Sequence, residues 1–469
     1  MANVQKQTGT KVPLAKELSY AEVIEFLNQH WNEKRSNLDC VKRLDKELGS
    51  PSKSLNTIFI GGTNGKSLTI HFVARLLKEE GLSVGALSDP HILTYNERIA
   101  LNQETINNKM FAELANEVIN AAQAIEIVPH SQEVLTLMSF LHFVGNNVDV
   151  AVLEVGSGAT FWHAAKICEP KVVGITRVTQ QHPTTQSLQE TIEKTLELVH
   201  KNSWLVCADQ SKLNLQVMQD HVVARGGNWA MPIRKLATLA YPFEQLHGRC
   251  AALAERVAQI YVNTYFTKDA TIVQDSLLVK QKGQRGRPTL EAKRQSELHP
   301  KHTILQFWKE IATTLPGRFH ILDKEKPTTL LDNASNLDAF QNVLLGIRLL
   351  HYQRPLKGLV IIVGADVADL QTSEFAKIVR YFFKKTSGSI ILTPVEPLMH
   401  GPSGALAPNL EKIANELKNL KVKVKIAINF QDAYESAIKM VDERHGLLAI
   451  TGSDAVIAQY WDYKGIKKF

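Results

Sequence analysis

Two rhythms alternate along this chain. Short runs of apolar, often β-branched residues read as buried strands, and longer stretches with apolar residues three and four apart read as amphipathic helices. The spacing predicts helices over 20–31 and 38–48, closed by Gly49-Ser50-Pro51. A strand follows at 57–60, then a glycine-rich turn. The next segment carries Ile70, Val73, Ala74 and Leu77 at helical spacing. A short strand is expected at 83–87, broken by Ser88-Asp89-Pro90-His91, with a polar turn at Asn102 and helices over 110–125 and 132–144. The near-continuous apolar run 149–155 has the pattern of a parallel strand buried on both faces, with Glu154 near its tip.

Further strands are expected at 172–176 and 204–208, with helices over 188–201 and 247–262. A second strand–helix series reads from about 303, with strands at 328–331, 358–363, 389–392, 422–427 and 446–451 and a helix at 339–352. Repeated alternation of strand and helix implies mostly parallel α/β sheets covered on both faces. Such sheets bind ligands at the carboxyl ends of their strands. That is where the glycine-rich turn and Glu154 fall.

Composition narrows the class without naming a chemistry. A length of 469 residues suggests two or three domains, and 44% apolar with 22% charged residues is ordinary for a globular protein. The net charge of +7 suits anionic ligands such as nucleotides. Cys40, Cys168, Cys207 and Cys250 lack metal-type spacing and read as reduced thiols in a cytoplasmic protein. No run reaches membrane-spanning length and the first residues lack a signal core, so no membrane role is expected. Residues 268–303 are basic and poor in aliphatics, with Lys280, Lys282, Arg285 and Arg287 close together. A solvated linker is a better reading than a nucleic-acid site, because no aromatic platform accompanies the charge.

The turn after the first core strand carries the candidate chemistry. Gly61, Gly62 and Gly65 surround Thr63 and Asn64, and Lys66-Ser67 open the helix. Backbone amides, a helix N-terminus and a lysine together make a phosphate cradle, and the serine hydroxyl can reach magnesium. The strict P-loop pattern is not met, since Ile60 stands where its first glycine belongs. The plain alternative is an ordinary strand–turn–helix with a solvated lysine.

Several motifs then line up in order. Gly62-Thr63-Asn64-Gly65-Lys66, Pro90-His91, Asn96-Glu97-Arg98-Ile99, Glu133 with Thr136, and the run 150–156 resemble the folylpolyglutamate synthase/dihydrofolate synthase family of the Mur ligase superfamily. Pro316-Gly317-Arg318, Asp332 with Ala334 and Asn336, and Thr451-Gly452-Ser453 continue the resemblance. It spans nearly the whole chain apart from the basic segment.

The resemblance implies an N-terminal ATP-binding domain over 1–300, P-loop-like and of the Mur-ligase central type. A smaller Rossmann-like C-terminal domain over 301–469 would close on it. It implies ATP and Mg2+ as cofactors, and a monomer acting on L-glutamate and a pteroate or folate acceptor through an acyl phosphate. No nucleic-acid partner is implied. Gly62, Thr63, Asn64, Gly65, Lys66, Ser67, Arg318 and Asp332 would hold the nucleotide. Ser67, Asp89, Glu154 and His182 would serve metal, with Lys66 and His182 catalytic.

The chain also departs from the family's pattern. Asp89 replaces a serine, Gly156 to His163 stand where the family has a glycine-rich segment with Arg and then Asp-Ala-Thr-Asn, and Gln180-Gln181-His182 stands for Leu-Asp-His. A family lysine that becomes carbamylated falls on Thr195, with Lys194 beside it, and a loop histidine is Ser335. The runner-up reading is therefore a Mur-ligase-fold protein that binds nucleotide without ligase activity.

Overall fold

The computed structural model describes residues 17–31, 38–156, 166–179, 188–207, 210–232, 244–266, 315–364, 373–395 and 409–468. Its first sheet contains β1 (Thr57–Gly61), β2 (Val84–Leu87), β3 (Ile99–Leu101), β4 (Glu104–Thr105), β5 (Val150–Glu154), β6 (Pro170–Ile175), β7 (Trp204–Cys207) and β8 (Asn228–Ala230). They lie in the order β4-β3-β2-β5-β1-β6-β7-β8. All pairings are parallel except those that bring β3 and β4 onto the edge.

Every residue of β1 and β5 is buried, as expected of central strands covered on both faces. Ile58 and Ile60 face one side, against helix Lys66–Glu79 and helix Glu244–Tyr265. Phe59 faces the other, where helices Asn108–Ala124 and Ser131–Gly145 pack. The register sets Ile60 beside Glu154. That pairing brings an acidic strand tip next to the turn that follows β1.

The second sheet contains β9 (His320–Leu322), β10 (Thr328–Asp332), β11 (Leu359–Gly364), β12 (Ser389–Thr393), β13 (Val424–Ile426) and β14 (Leu447–Thr451). Their order is β13-β12-β11-β14-β10-β9, parallel apart from β9. Helices Leu337–Gln353, Ser373–Phe383 and Leu410–Asn419 cover one face, and Phe430–Met440 and Asp454–Tyr463 the other. One residue of the first unit, Ile92, is buried within the apolar cluster of that second face.

Some expectations need correction. The helix expected over 188–201 is Leu188–Leu196. The chain turns away at Glu197, and Ser203 ties down the backbone of His200. The polar turn expected at Asn102 is present, as the tip of a β3–β4 hairpin with Asn102 and Gln103 at φ of 50° and 71°. Such paired positive angles suit a two-residue hairpin turn. Helices Lys212–Ala224 and Asp454–Tyr463 and strands β8 and β9 are additions to the elements expected from the hydrophobic pattern. The basic segment 268–303 lies outside the described residues.

Candidate active site

The turn after β1 is shaped by two glycines. Gly62 has φ of 115°, and a Cβ there would lie 2.2 Å from Thr176 Oγ1. Gly65 has φ of 92°, and a Cβ there would meet Cys250 Sγ at 2.7 Å. Neither position accepts a side chain without strain. Thr63 and Asn64 donate their backbone N–H groups to the Arg177 carbonyl at 2.8 and 3.2 Å. Thr63 Oγ1 bridges both the N–H and the carbonyl of Thr179. The turn is thus fastened to the outgoing end of β6.

Helix Lys66–Glu79 starts from Gly65 with no side-chain cap. Its first amides lack intrahelical partners, and they carry partial positive charge. Lys66 Nζ donates to the Thr63 carbonyl at 3.1 Å and lies 3.6 Å from Glu154 Oε1. Ser67 Oγ donates to Glu154 Oε2 at 3.2 Å, and the Asp89 N–H donates to the same oxygen at 3.0 Å. Burial pushes the Glu154 carboxyl above the usual carboxylate range, and Lys66 pulls it back. A buried carboxylate beside a hydroxyl is a hard-oxygen pair of the kind magnesium takes.

Asp89 lines the same cleft. Its Oδ1 accepts from the Arg98 guanidinium and from Gln132 Nε2. Its charge therefore already has a cation, which no local motif reveals. His182 lies outside the described residues, as do Gly158 to His163. Thr195 is buried with its hydroxyl on the Thr191 carbonyl, and Lys194 is exposed. Neither lines the cleft. Among the described residues, no group of three or more His, Cys, Asp or Glu side chains converges on one point.

The Asn96-Glu97-Arg98-Ile99 motif organises this rim. Glu97 accepts from the N–H groups of Ile92, Leu93 and Thr94 at 2.6 to 2.9 Å. Asn96 accepts from Tyr20 and donates to the Ile106 carbonyl. Arg98 is buried, donates to His91 Nδ1 at 2.7 Å and lies over the Trp31 ring at 4.9 Å.

The second unit supplies the facing wall of a cleft of about 280 Å³. Arg318 Nη1 lies 3.5 Å from Asp454 Oδ1, which also accepts from Asn333 Nδ2. Asp332 ends β10, and its Oδ2 accepts from the Phe319 N–H at 2.8 Å. Burial pushes the Asp332 carboxyl up to about 7, and likewise raises Asp454. The cleft therefore gathers Thr63, Asn64, Gly65, Lys66, Ser67, Asp89, Glu154, Arg318 and Asp332, all expected from the sequence. Gly62 shapes the turn behind it. Arg177, Cys250 and Asp454 line it too, and no motif in the chain assigns them a role. Only Asp454 left a trace, as the first acid after the Gly452-Ser453 turn.

The donor set can hold an anion at the uncapped helix start and a divalent cation between Ser67 and Glu154. It sits where two parallel sheets present their carboxyl ends, the expected place for a ligand.

No family model matches the chain. It is 25% identical over 325 residues to the dihydrofolate synthase/folylpolyglutamate synthase of Bacillus subtilis, covering 66% of this chain and 71% of that protein. Matches to folylpolyglutamate synthases of other species are 32–35% identical but span only 24–31% of those proteins. Among solved structures, folylpolyglutamate synthase of Mycobacterium tuberculosis complexed with ADP superposes with a TM-score of 0.72 at 20% identity, covering 95% of this chain and 98% of that one. The bifunctional folylpolyglutamate synthase/dihydrofolate synthase of Yersinia pestis, complexed with AMPPNP and a Mn ion, gives 0.68 at 19% identity, covering 97% and 100%. The two structures share the two-sheet fold described above.

Proposed function

We propose that this chain is a member of the folylpolyglutamate synthase/dihydrofolate synthase family and an ATP-dependent ligase joining L-glutamate to a folate or to dihydropteroate. The observation that carries the reading is the glycine-shaped turn. It leads into an uncapped helix, with Lys66 and the Ser67–Glu154 pair on one wall and Arg318 on the other.

A carboxylate is a poor electrophile, so it must be activated before an amine can attack. In the proposed reaction an acceptor carboxylate oxygen attacks the γ-phosphorus of ATP and ADP leaves. The glutamate amine then attacks the acyl carbon, inorganic phosphate leaves, and the amine gives up a proton. Such chemistry depends on positioning and charge neutralisation.

The uncapped amides at the start of helix Lys66–Glu79 and the Lys66 ammonium would hold the β- and γ-phosphates, since they present donors and a cation on one side. Ser67 and Glu154 would hold magnesium, which would supply positive charge to the phosphate oxygens. Arg318, aligned by Asp454, would meet the transferred phosphate from the second unit with the fork geometry of a guanidinium. Asp332 would orient the nucleotide from the tip of β10.

The test is a product assay by mass spectrometry with ATP, magnesium, glutamate and either dihydropteroate or tetrahydrofolate. The expected product is an acceptor heavier by one glutamyl residue, formed with ADP and inorganic phosphate. The arm that reacts identifies the acceptor. ATP binding without a glutamylated product in either arm would count against the ligase reading.

A further inference from the structure

The side chain of Asn64, in the phosphate turn, crosses to the second unit. Its Nδ2 donates to Asn336 Oδ1 at 3.2 Å and to Asp338 Oδ2 at 2.9 Å. Asn336 Nδ2 donates back to Asn64 Oδ1 at 2.8 Å. The other oxygen of Asp338 accepts from Arg177 Nε at 2.8 Å. Arg177 is also the residue whose carbonyl receives the N–H groups of Thr63 and Asn64. Turn and β6 end are therefore tied to each other by backbone, and both are tied to one carboxylate by side chains.

On the second unit these contacts converge on a rigid point. Asn336 caps helix Leu337–Gln353, and its Oδ1 accepts from the Ala339 N–H at 3.0 Å. The same oxygen thus serves the helix cap and the phosphate turn. Asn336 is 7% exposed, whereas the Arg177 side chain is 39% exposed. The Arg177–Asp338 ion pair, exposed on its Arg177 side, contributes little net stability, so making and breaking that contact is inexpensive. Each unit has an apolar core of its own, and Ile92 is the buried apolar residue that crosses between them. These are the properties of a latch that closes and opens during turnover, rather than of a permanent weld.

We infer that Asn64, Arg177, Asn336 and Asp338 form a positioning clasp that holds the second unit closed on the phosphate turn and so sets Arg318 opposite Lys66. The clasp rests on the ligase reading only for its kinetic consequence. Made, it fixes the wall carrying Arg318 against the wall carrying Lys66. Released, the site can still bind phosphate through the uncapped amides of the helix start and Lys66, but the transfer geometry is lost. None of the four residues need touch the reacting atoms.

The experiment uses two variants of the full chain. Asn336→Ser keeps a capping oxygen but removes the N–H that reaches Asn64. Asp338→Asn keeps the shape but removes the charge that meets Arg177. In each, kcat is expected to fall about tenfold, while KM for ATP moves less than about threefold, the size of loss that one or two hydrogen bonds produce. Amide hydrogen exchange over residues 62–67 in the ATP-bound protein is expected to speed about tenfold, with β11 unchanged.

Wild-type kcat and wild-type exchange at the turn in both variants would overturn the clasp. Equal acceleration at β11 would mark a general loss of structure and would overturn the positioning role as well. If the wild-type chain forms no glutamylated product, the ligase reading fails and the exchange measurement alone decides the clasp.

Discussion

Lys66 is held by protein before any ligand arrives, between the Thr63 carbonyl and the Glu154 carboxylate. Removing it leaves Glu154 buried without its cation and takes a full charge from the phosphate cradle. Lys66→Ala is expected to lower ATP turnover by about 100-fold or more, measured by phosphate release. Turnover within a few-fold of wild type would remove Lys66 from the mechanism.

Asp332 makes a different kind of prediction. Its carboxyl sits near 7 when folded, far above the roughly 3.9 of an exposed aspartate. Between those values the folded chain holds a proton that the unfolded chain has released. Stability therefore declines as pH rises from about 4 to about 7, and the loss is complete above that range. Asp332→Asn carries no such penalty. The gain in melting temperature of the variant over wild type is expected to be larger at pH 8 than at pH 5. Equal gains at both would rule out burial of this carboxyl as the source of the penalty.

At the scale of elements, the phosphate turn is the most legible part of the chain. A β-branched run, clustered glycines and a helical stripe leave little choice, and β1, the turn and helix Lys66–Glu79 form as expected. Edge strands are not legible. Three residues such as Asn228–Ala230 or His320–Leu322 are too few to display an alternation. Helix Lys212–Ala224 is hidden because it buries only Met218 and Val222. Within the site, the residues of local motifs can be found from the sequence, but Arg177 and Asp338 cannot. They meet across 161 residues, and nothing local marks a charge that crosses between two units. Gly62 tests the turn directly. Gly62→Ala is expected to destabilise the protein by more than about 2 kcal/mol in denaturant titration, because the methyl must displace Thr176 while the backbone holds a positive φ. A variant as stable as wild type would show that the turn has room to adjust.

At the scale of the whole molecule, the two units meet through unlike materials. The clasp beside the phosphate turn is polar. The contact made by Ile92 is apolar, with the residue 4% exposed inside the second unit's cluster and against Gly317. Glu97 holds the backbone that presents it. Ile92→Ala is expected to cost about 2–5 kcal/mol by the usual cavity argument, read from the denaturation midpoint. A cost below about 1 kcal/mol would mean that Ile92 contributes little to joining the units. Among the described residues, no helix is long and apolar enough to cross a membrane.

The sheet margins carry one more consequence. The outermost strands β4, β8, β9 and β13 are only two or three residues long, and β13 places Lys425 at its centre. A neighbouring chain seeking to extend either sheet would find too few free backbone groups to template a new strand, and on one margin a charge to bury. The longer strands that build the cleft, β1, β5, β6 and β10, are all interior. The architecture that brings two sets of strand tips to one cleft also keeps sticky backbone out of reach, so concentrated solutions of the folded protein should resist edge-to-edge aggregation.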